Sequence, residues 1–201
     1  MANSNSDNHS DLLFNYNSCK ILLKQGNLLD ENDVQLIVIP TPPSNESDPS
    51  SFAIFNQFNQ KADKDLKEEV KRIRRELQPE QARKVMKNNR GYIFVLLPYL
   101  RKEKRAHDLI KKNYSSCLKL AVANDARSVA FPTIGCGNRG FDHVTVASLA
   151  FSVFEDFLST PDGKKLDEIR VVVYNNDVWQ AFTQTFTDLA TKKKSKIKFE
   201  D

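Results

Sequence analysis

Apolar residues in this chain gather in short, nearly continuous runs separated by longer stretches in which they recur every three or four positions. The runs are CKILLKQG from Cys19, VQLIVIP from Val34, GYIFVLLP from Gly91, SVAFP from Ser128 and IRVVVY from Ile169. Each is short, rich in β-branched or aromatic residues and closed by glycine, proline or a polar residue, the pattern of a buried strand. Between them, Leu66, Val70, Ile73 and Leu77 fall on one face of a helix over Lys61 to Leu77. Ile110, Tyr114, Cys117 and Ala121 mark a second helix. A third carries Val146, Leu149, Ala150, Val153, Phe154 and Phe157, and a last one Val178, Phe182, Phe186 and Leu189.

Continuous apolar strands alternating with helices predict an α/β sandwich around a largely parallel sheet, because such strands must be covered on both faces. In folds of this kind ligands sit beyond the carboxyl ends of the strands. That singles out the loops Thr41–Ser51, Gly135–Phe141 and Tyr174–Asp177. The polar, Asn- and Ser-rich residues 1–11 are expected to be a disordered tail, residues 12–190 a single domain, and residues 191–201 a basic tail. The run Lys192 to Lys198 could be a nuclear address or a phosphate-binding arm, although most such runs are solvated charge.

Composition changes this picture little. The net charge of +4 fits an anionic ligand or nucleic acid without requiring either. Cys19, Cys117 and Cys136 are odd in number and widely spaced, so no disulfide framework is expected. The N-terminus lacks the basic start and apolar run of a signal peptide, and no apolar stretch is long enough for a membrane span. A cytoplasmic or nuclear protein with free thiols and no membrane partner is expected. His9, His107 and His143 show no metal-ligand spacing with the cysteines, so neither metal nor cofactor is expected.

The chemistry concentrates in AFPTIGCGNRGF, Ala130 to Phe141. Its G-x-G-x-x-G pattern invites a dinucleotide-binding reading, but that fingerprint belongs to the first strand–helix unit and needs an acidic residue at the end of the next strand. Here the loop follows the fourth of the five runs, and Asp156 lies within a helix pattern. No Lys-Ser/Thr pair follows, so it is not a Walker loop. Glycines without Cβ atoms, followed by a helix start, still suit an anion held by backbone N–H groups. The alternative is a plain strand-to-helix turn. Cys136 could be proposed as a nucleophile, yet no base is aimed at it by the sequence, and a small packing residue is the simpler reading.

These residues resemble a known family. SVAFPTIGCGNRGF looks like the phosphate-binding loop of macrodomains, which bind ADP-ribose, and most like macrodomains attached to poly(ADP-ribose)-polymerase-type proteins. CKILLKQGNLL, VQLIVIP, GYIFVLLP, NYSSCLKLA and IRVVVYNND resemble the remaining elements in order. The resemblance implies a three-layer α/β/α sandwich with a mixed, largely parallel central sheet. It implies that Gly135, Cys136, Gly137, Asn138, Arg139 and Gly140 wrap a diphosphate and that Phe141 lines the distal-ribose side. Asn27 falls where the family uses an aspartate to read the adenine amino group, Tyr174 is placed to pack on adenine, and Asn175 could help. The chain departs from the family after its second strand. Ile39 and Pro42 stand where the family has asparagines, and the glycine run that follows them is missing.

Three functions are compatible with that pattern. One is a reader of ADP-ribose or of ADP-ribosylated protein that does not hydrolyse it. Another is a degenerate macrodomain that has turned to single-stranded RNA or a protein partner. The third is an atypical ADP-ribosyl hydrolase in which Glu46 or Asp48 activates water, with Asn45 nearby.

Overall fold

The computed structural model describes residues 11–43, 52–97, 104–137 and 140–197. Seven strands form one sheet: β1 (Leu12–Tyr16), β2 (Cys19–Gln25), β3 (Leu36–Thr41), β4 (Ala82–Lys87), β5 (Arg90–Leu96), β6 (Ser128–Pro132) and β7 (Glu168–Val173). Their spatial order is β1-β2-β7-β6-β3-β5-β4. The five central strands are mutually parallel, and β1 and β4 close the edges antiparallel to β2 and β5. The five parallel strands are the five apolar runs, so the mixed, largely parallel sheet is as expected.

The two edge strands were not legible as apolar runs, because each buries only alternate residues and does so partially. Both are specified by asparagine turns. Tyr16 pairs with Cys19 across Asn17, at φ 53°, and Lys87 pairs with Arg90 across Asn88 and Asn89, at φ 50° and 62°. Two-residue hairpins need positive φ, which asparagine tolerates better than other side chains.

Five helices cover the sheet: α1 (Ala53–Lys61), α2 (Lys64–Glu76), α3 (Lys104–Val122), α4 (His143–Leu158) and α5 (Asn176–Ile197). Strand residues alternate between the two layers. Ile37 and Ile39 face a cluster with Phe55, Phe58, Leu66, Val70 and Ile73 of α1 and α2. Val38 faces the larger cluster built with Tyr114, Phe131, Phe154 and Phe182 of the opposite layer. The result is an α/β/α sandwich.

The helix expected over Lys61–Leu77 is present as α2 but starts three residues later, Lys61 being the last residue of α1. Ala62 is extended, and the Asp63 carboxylate accepts the Leu66 N–H at 2.9 Å, starting α2 at Lys64. The last helix continues through Ile197, so part of the basic run is helical. All three cysteines are buried and free. Among the described residues no helix is long and apolar enough to cross a membrane, and no group of three or more His, Cys, Asp or Glu side chains could hold a metal ion. Residues 1–10 and the chain end beyond residue 197 lie outside the described residues.

Beneath the connection from β2 to β3 lies a buried charge cluster. Arg170, inside the apolar run of β7, is only 6% exposed. It binds the Asp33 carboxylate at 2.6 and 3.0 Å and Glu168 at 2.7 Å, and it also pairs with the buried Glu31. Lys24 approaches Glu31 at 3.1 Å from the other side. The cluster ties the segment following the 3-10 turn Leu28–Asp30 to the sheet and so fixes the position of that turn.

Candidate functional site

The carboxyl ends of the parallel strands open into a cleft of about 290 Å3, close to the lower bound of about 300 Å3 for small-molecule sites. Strand order sorts its wall into stations. Asn27 follows β2, Tyr174 and Asn175 follow β7, the glycine loop follows β6, and Pro40 ends β3. Adjacent strands lie about 4.8 Å apart, so the line from the Asn27 end to the Pro40 end measures about 14 Å. α1 roofs one side of this line with Phe52, Ala53, Ile54 and Gln57.

The glycine loop is held from below. Tyr114 of α3 is fully buried, accepts the Ile134 N–H at 3.1 Å and donates to the Pro132 carbonyl at 3.3 Å. Burial pushes its phenol well above the usual range, so the hydroxyl keeps its proton. Gly135 adopts φ +101°, and a Cβ there would meet Phe141 Cδ2 at 3.1 Å and Ile110 Cδ1 at 3.3 Å. Gly137 differs: a Cβ there would meet no atom of the described residues within 4 Å. Gly135 is therefore required by the fold, whereas the space beside Gly137 is open cleft.

Several of the expected N–H donors are already used. Cys136 N–H donates to the Thr133 carbonyl at 3.1 Å, Gly140 N–H to Gly137 at 2.7 Å, and Phe141 N–H to Gly135 at 3.3 Å. Gly135 and Gly137 N–H groups have no partner among the described residues. The start of α4 is occupied by its own anion: the Asp142 carboxylate accepts Thr145 N–H at 2.8 Å and the Thr145 hydroxyl at 2.7 Å. Those hydrogen bonds hold its pKa below the usual carboxylate range. The loop glycines, not the α4 terminus, are thus the free donors.

Phe141 does not line the cleft. Its ring is 5% exposed and packs under Gly135 beside His107, 6.3 Å away between ring centroids, because the turn at Gly135 brings it back into the core. Gly140 is likewise absent from the cleft wall. Cys136 is on the wall but 5% exposed, and burial pushes its thiol up to about 12. It is a packing residue, not a thiolate. Asn138 and Arg139 lie outside the described residues, as do Asn45, Glu46 and Asp48.

At the other end, Tyr174 is 72% exposed with its ring at the cleft mouth, and Asn175 stands beside it at the start of α5. Asn27 lines the cleft, but its side-chain oxygen already accepts Leu29 N–H at 3.1 Å, as the N-cap of the 3-10 turn. Within β3, Ile39 is fully buried against α1 and α2 rather than facing the cleft. Pro42 and Pro43 are anchored through their carbonyls, which accept Arg74 Nε at 3.1 Å and a second guanidinium N–H at 2.8 Å. Arg74 also lies 5.0 Å over the Phe55 ring. Among the described residues, no charged side chain lines the cleft.

Sequence reasoning missed three contributors. Gln57 went unseen because α1 itself was not recognised. Tyr114 was counted only as a member of an apolar stripe, although a buried tyrosine hydroxyl demands a partner and so points to a loop in need of one. Arg74 carried no signal beyond its charge.

Comparison with known proteins places this architecture. The family model described as Macro domain matches residues 45–150, more than half of the chain. A macro domain-containing protein of Caldanaerobacter subterraneus is 28% identical over 82 residues, covering 41% of this chain and 45% of that protein. An O-acetyl-ADP-ribose deacetylase of Salmonella gallinarum is 39% identical over 57 residues, covering 28% and 32% respectively. The matched segments thus span less than half the length of these relatives. Among solved structures, the Oceanobacillus iheyensis macrodomain with ADP superposes with a TM-score of 0.77 at 16% identity, over 91% of this chain and 98% of that one. The Trypanosoma brucei macrodomain in complex with ADP does so with a TM-score of 0.69 at 20% identity, over 83% and 68%. Family match and fold agree, and the chain belongs to the macrodomain family.

Proposed function

We propose that this protein is a macrodomain that binds ADP-ribose, free or attached to a protein, without hydrolysing it. The observation that carries this reading is the pair of N–H groups at Gly135 and Gly137 that have no partner among the described residues, in a loop that lines a cleft at the strand ends. Such donors take a diphosphate without a lysine, since each N–H becomes a charge-assisted hydrogen bond. The exposed Tyr174 ring at one end of the same line gives a nucleobase a stacking surface. Macrodomains of similar fold hold ADP.

Chemistry is harder to build from the described wall. It offers no carboxylate, imidazole or amine to activate water, and Cys136 keeps its proton at neutral pH. The likeness to an O-acetyl-ADP-ribose deacetylase favours a second reading, in which the same cleft hydrolyses an ester of ADP-ribose.

Calorimetric titration with ADP-ribose, ADP and AMP, run beside an assay of acetate release from O-acetyl-ADP-ribose and of ADP-ribose release from modified protein, separates the two. The reader predicts saturable binding of ADP-ribose and ADP, weaker binding of AMP, and no release. Release above the uncatalysed rate establishes the second reading. Absence of binding by all three nucleotides removes both, and leaves RNA or a protein as the partner to seek.

A further inference from the structure

The base end of the cleft carries more than one carboxamide, Asn27, Asn175 and Gln57, and of these only Gln57 sits on a helix that crosses the cleft. Asn27 was the expected reader of the base, but its oxygen caps the turn at Leu29. Gln57 lies on the cleft wall, half-buried, and its carboxamide has no partner among the described residues. It shares a helix face with Ala53 and Ile54, which are also cleft residues, while Phe55 and Phe58 turn inward to the core. One turn further along that face, Lys61 pairs with Asp30 at 3.2 Å, in the 3-10 turn that Asn27 caps. α1 therefore crosses the cleft toward the Asn27 and Tyr174 end, and Gln57 hangs over that end rather than over Pro40.

The helix that carries Gln57 is pinned. Phe55 and Phe58 are buried beneath it, the Arg74 guanidinium covers the Phe55 ring, and Arg74 also holds Pro42 and Pro43. A carboxamide without a partner among the described residues, on a pinned helix that lines the same cleft as the exposed Tyr174 ring, is available to read the edge of a flat base stacked on that ring.

We propose that Gln57 is the base-specificity residue of this site, reading the edge of a purine that stacks on Tyr174. This rests on the nucleotide-binding reading given above. A carboxamide offers one acceptor and one donor in a plane, which matches the adjacent amino donor and ring-nitrogen acceptor of adenine. Hypoxanthine replaces that amino group by a carbonyl and alters the neighbouring ring nitrogen. Asn27, with its oxygen committed to Leu29, retains a role in shaping the turn. Gln57 lies half-buried on the cleft face of α1 and makes no hydrogen bond to the described residues, so replacing it leaves folding intact.

The test is a calorimetric series of ADP, IDP and CDP on the wild-type chain, Gln57→Leu and Gln57→Glu, with thermal denaturation as a folding control. The wild type is expected to prefer ADP over IDP. Gln57→Leu, which keeps the volume, should weaken ADP by about tenfold and bring ADP and IDP close together, because one two-point contact to a base edge accounts for discrimination of that order. Gln57→Glu keeps an acceptor and loses the donor, so it should retain part of the ADP preference. Unchanged ADP affinity and unchanged base preference in Gln57→Leu overturn the assignment while leaving the binding site standing. Equal loss for all three nucleotides assigns Gln57 to shape rather than base recognition and also overturns it. Failure of the wild type to bind any diphosphate overturns this inference together with the reading beneath it.

Discussion

Gly135 and Gly137 are two residues apart in one loop and both keep an N–H without a partner among the described residues, yet only at Gly135 does the fold itself need the missing Cβ, so substituting each separates folding from binding. At Gly135, φ is +101° and an added Cβ falls 3.1 Å from Phe141 and 3.3 Å from Ile110. The left-handed backbone costs an L-residue about 1–3 kcal/mol, and crowding in a packed core costs a further 1–3 kcal/mol or so. The reduced entropy of the unfolded chain returns only about 0.4–1 kcal/mol. Gly135→Ala should therefore lose about 1–5 kcal/mol of stability, which in a domain of this size lowers Tm by roughly 2–20 °C. At Gly137 no atom of the described residues lies within 4 Å of the added carbon, and φ is not left-handed. Gly137→Ala should keep Tm at the wild-type value or raise it by up to about 4 °C, because only the small unfolded-state term of about 0.4–1 kcal/mol acts. Gly137→Glu should also fold, yet it places a carboxylate in the cleft where the diphosphate is expected and should abolish ADP-ribose binding. Thermal denaturation and calorimetry on the three variants give both readouts. A folded Gly137→Glu that binds ADP-ribose like the wild type, or a Gly135→Ala as stable as wild type, refutes the division.

Other expectations follow from the same geometry. Tyr174→Ala removes a ring that is 72% exposed, so stability should change by no more than about 0.5 kcal/mol, while loss of base stacking should cost about 1–3 kcal/mol of ADP affinity by titration. Arg170→Met strands Glu31, which is 3% exposed, with Lys24 as its remaining ion-pair partner; breaking a buried pair in this way should cost about 3–5 kcal/mol in urea denaturation. Tyr114→Phe leaves Ile134 N–H and the Pro132 carbonyl without their partner beneath the loop, and an unsatisfied buried donor should cost about 1–3 kcal/mol with binding weakened as the loop loosens. Burial raises the thiols of Cys19 and Cys136 from 9.0 to about 12. The folded state therefore keeps protons that the unfolded chain releases above pH 9.0, so stability should hold below that pH and fall as pH rises toward 12. Burial raises the Cys117 thiol in the same direction. The urea midpoint at stepped pH should show this decline, and Cys19→Ala with Cys136→Ala should reduce its slope without removing it.

The sequence made the centre of the fold legible and left its borders dark. The five parallel strands are buried on both faces, and such strands must be apolar throughout, which is why they stood out. β1 and β4 are edge strands with one partly wet face, so their signal was weak alternation, although Asn88 and Asn89 in a two-residue turn could have betrayed the second hairpin. The glycine loop was visible because three glycines within six residues exceed the needs of a turn. Which of them serves the fold and which the ligand depends on Phe141 and Ile110 closing on Gly135, and such contacts leave no trace in spacing. Phe141 looked like a cleft residue because it follows the loop; the turn sends it into the core instead. Arg170 read as a strand residue, since its partners Glu31 and Asp33 are 139 and 137 positions away. Gln57 was hidden because FAIFNQFNQK is short and four of its five apolar residues are consecutive, so the helical spacing of Phe55 and Phe58 does not stand out.

The most direct test of the account is amide-detected NMR of the isotope-labelled chain during titration with ADP-ribose. The account predicts that the Gly135 and Gly137 amide protons move downfield most, as unpartnered N–H groups gain a charged acceptor, with smaller shifts at Asn175 and in the Gln57 side-chain amide. A ligand that shifts residues elsewhere and leaves Gly135 and Gly137 unmoved, or that shifts nothing at millimolar concentration, contradicts it.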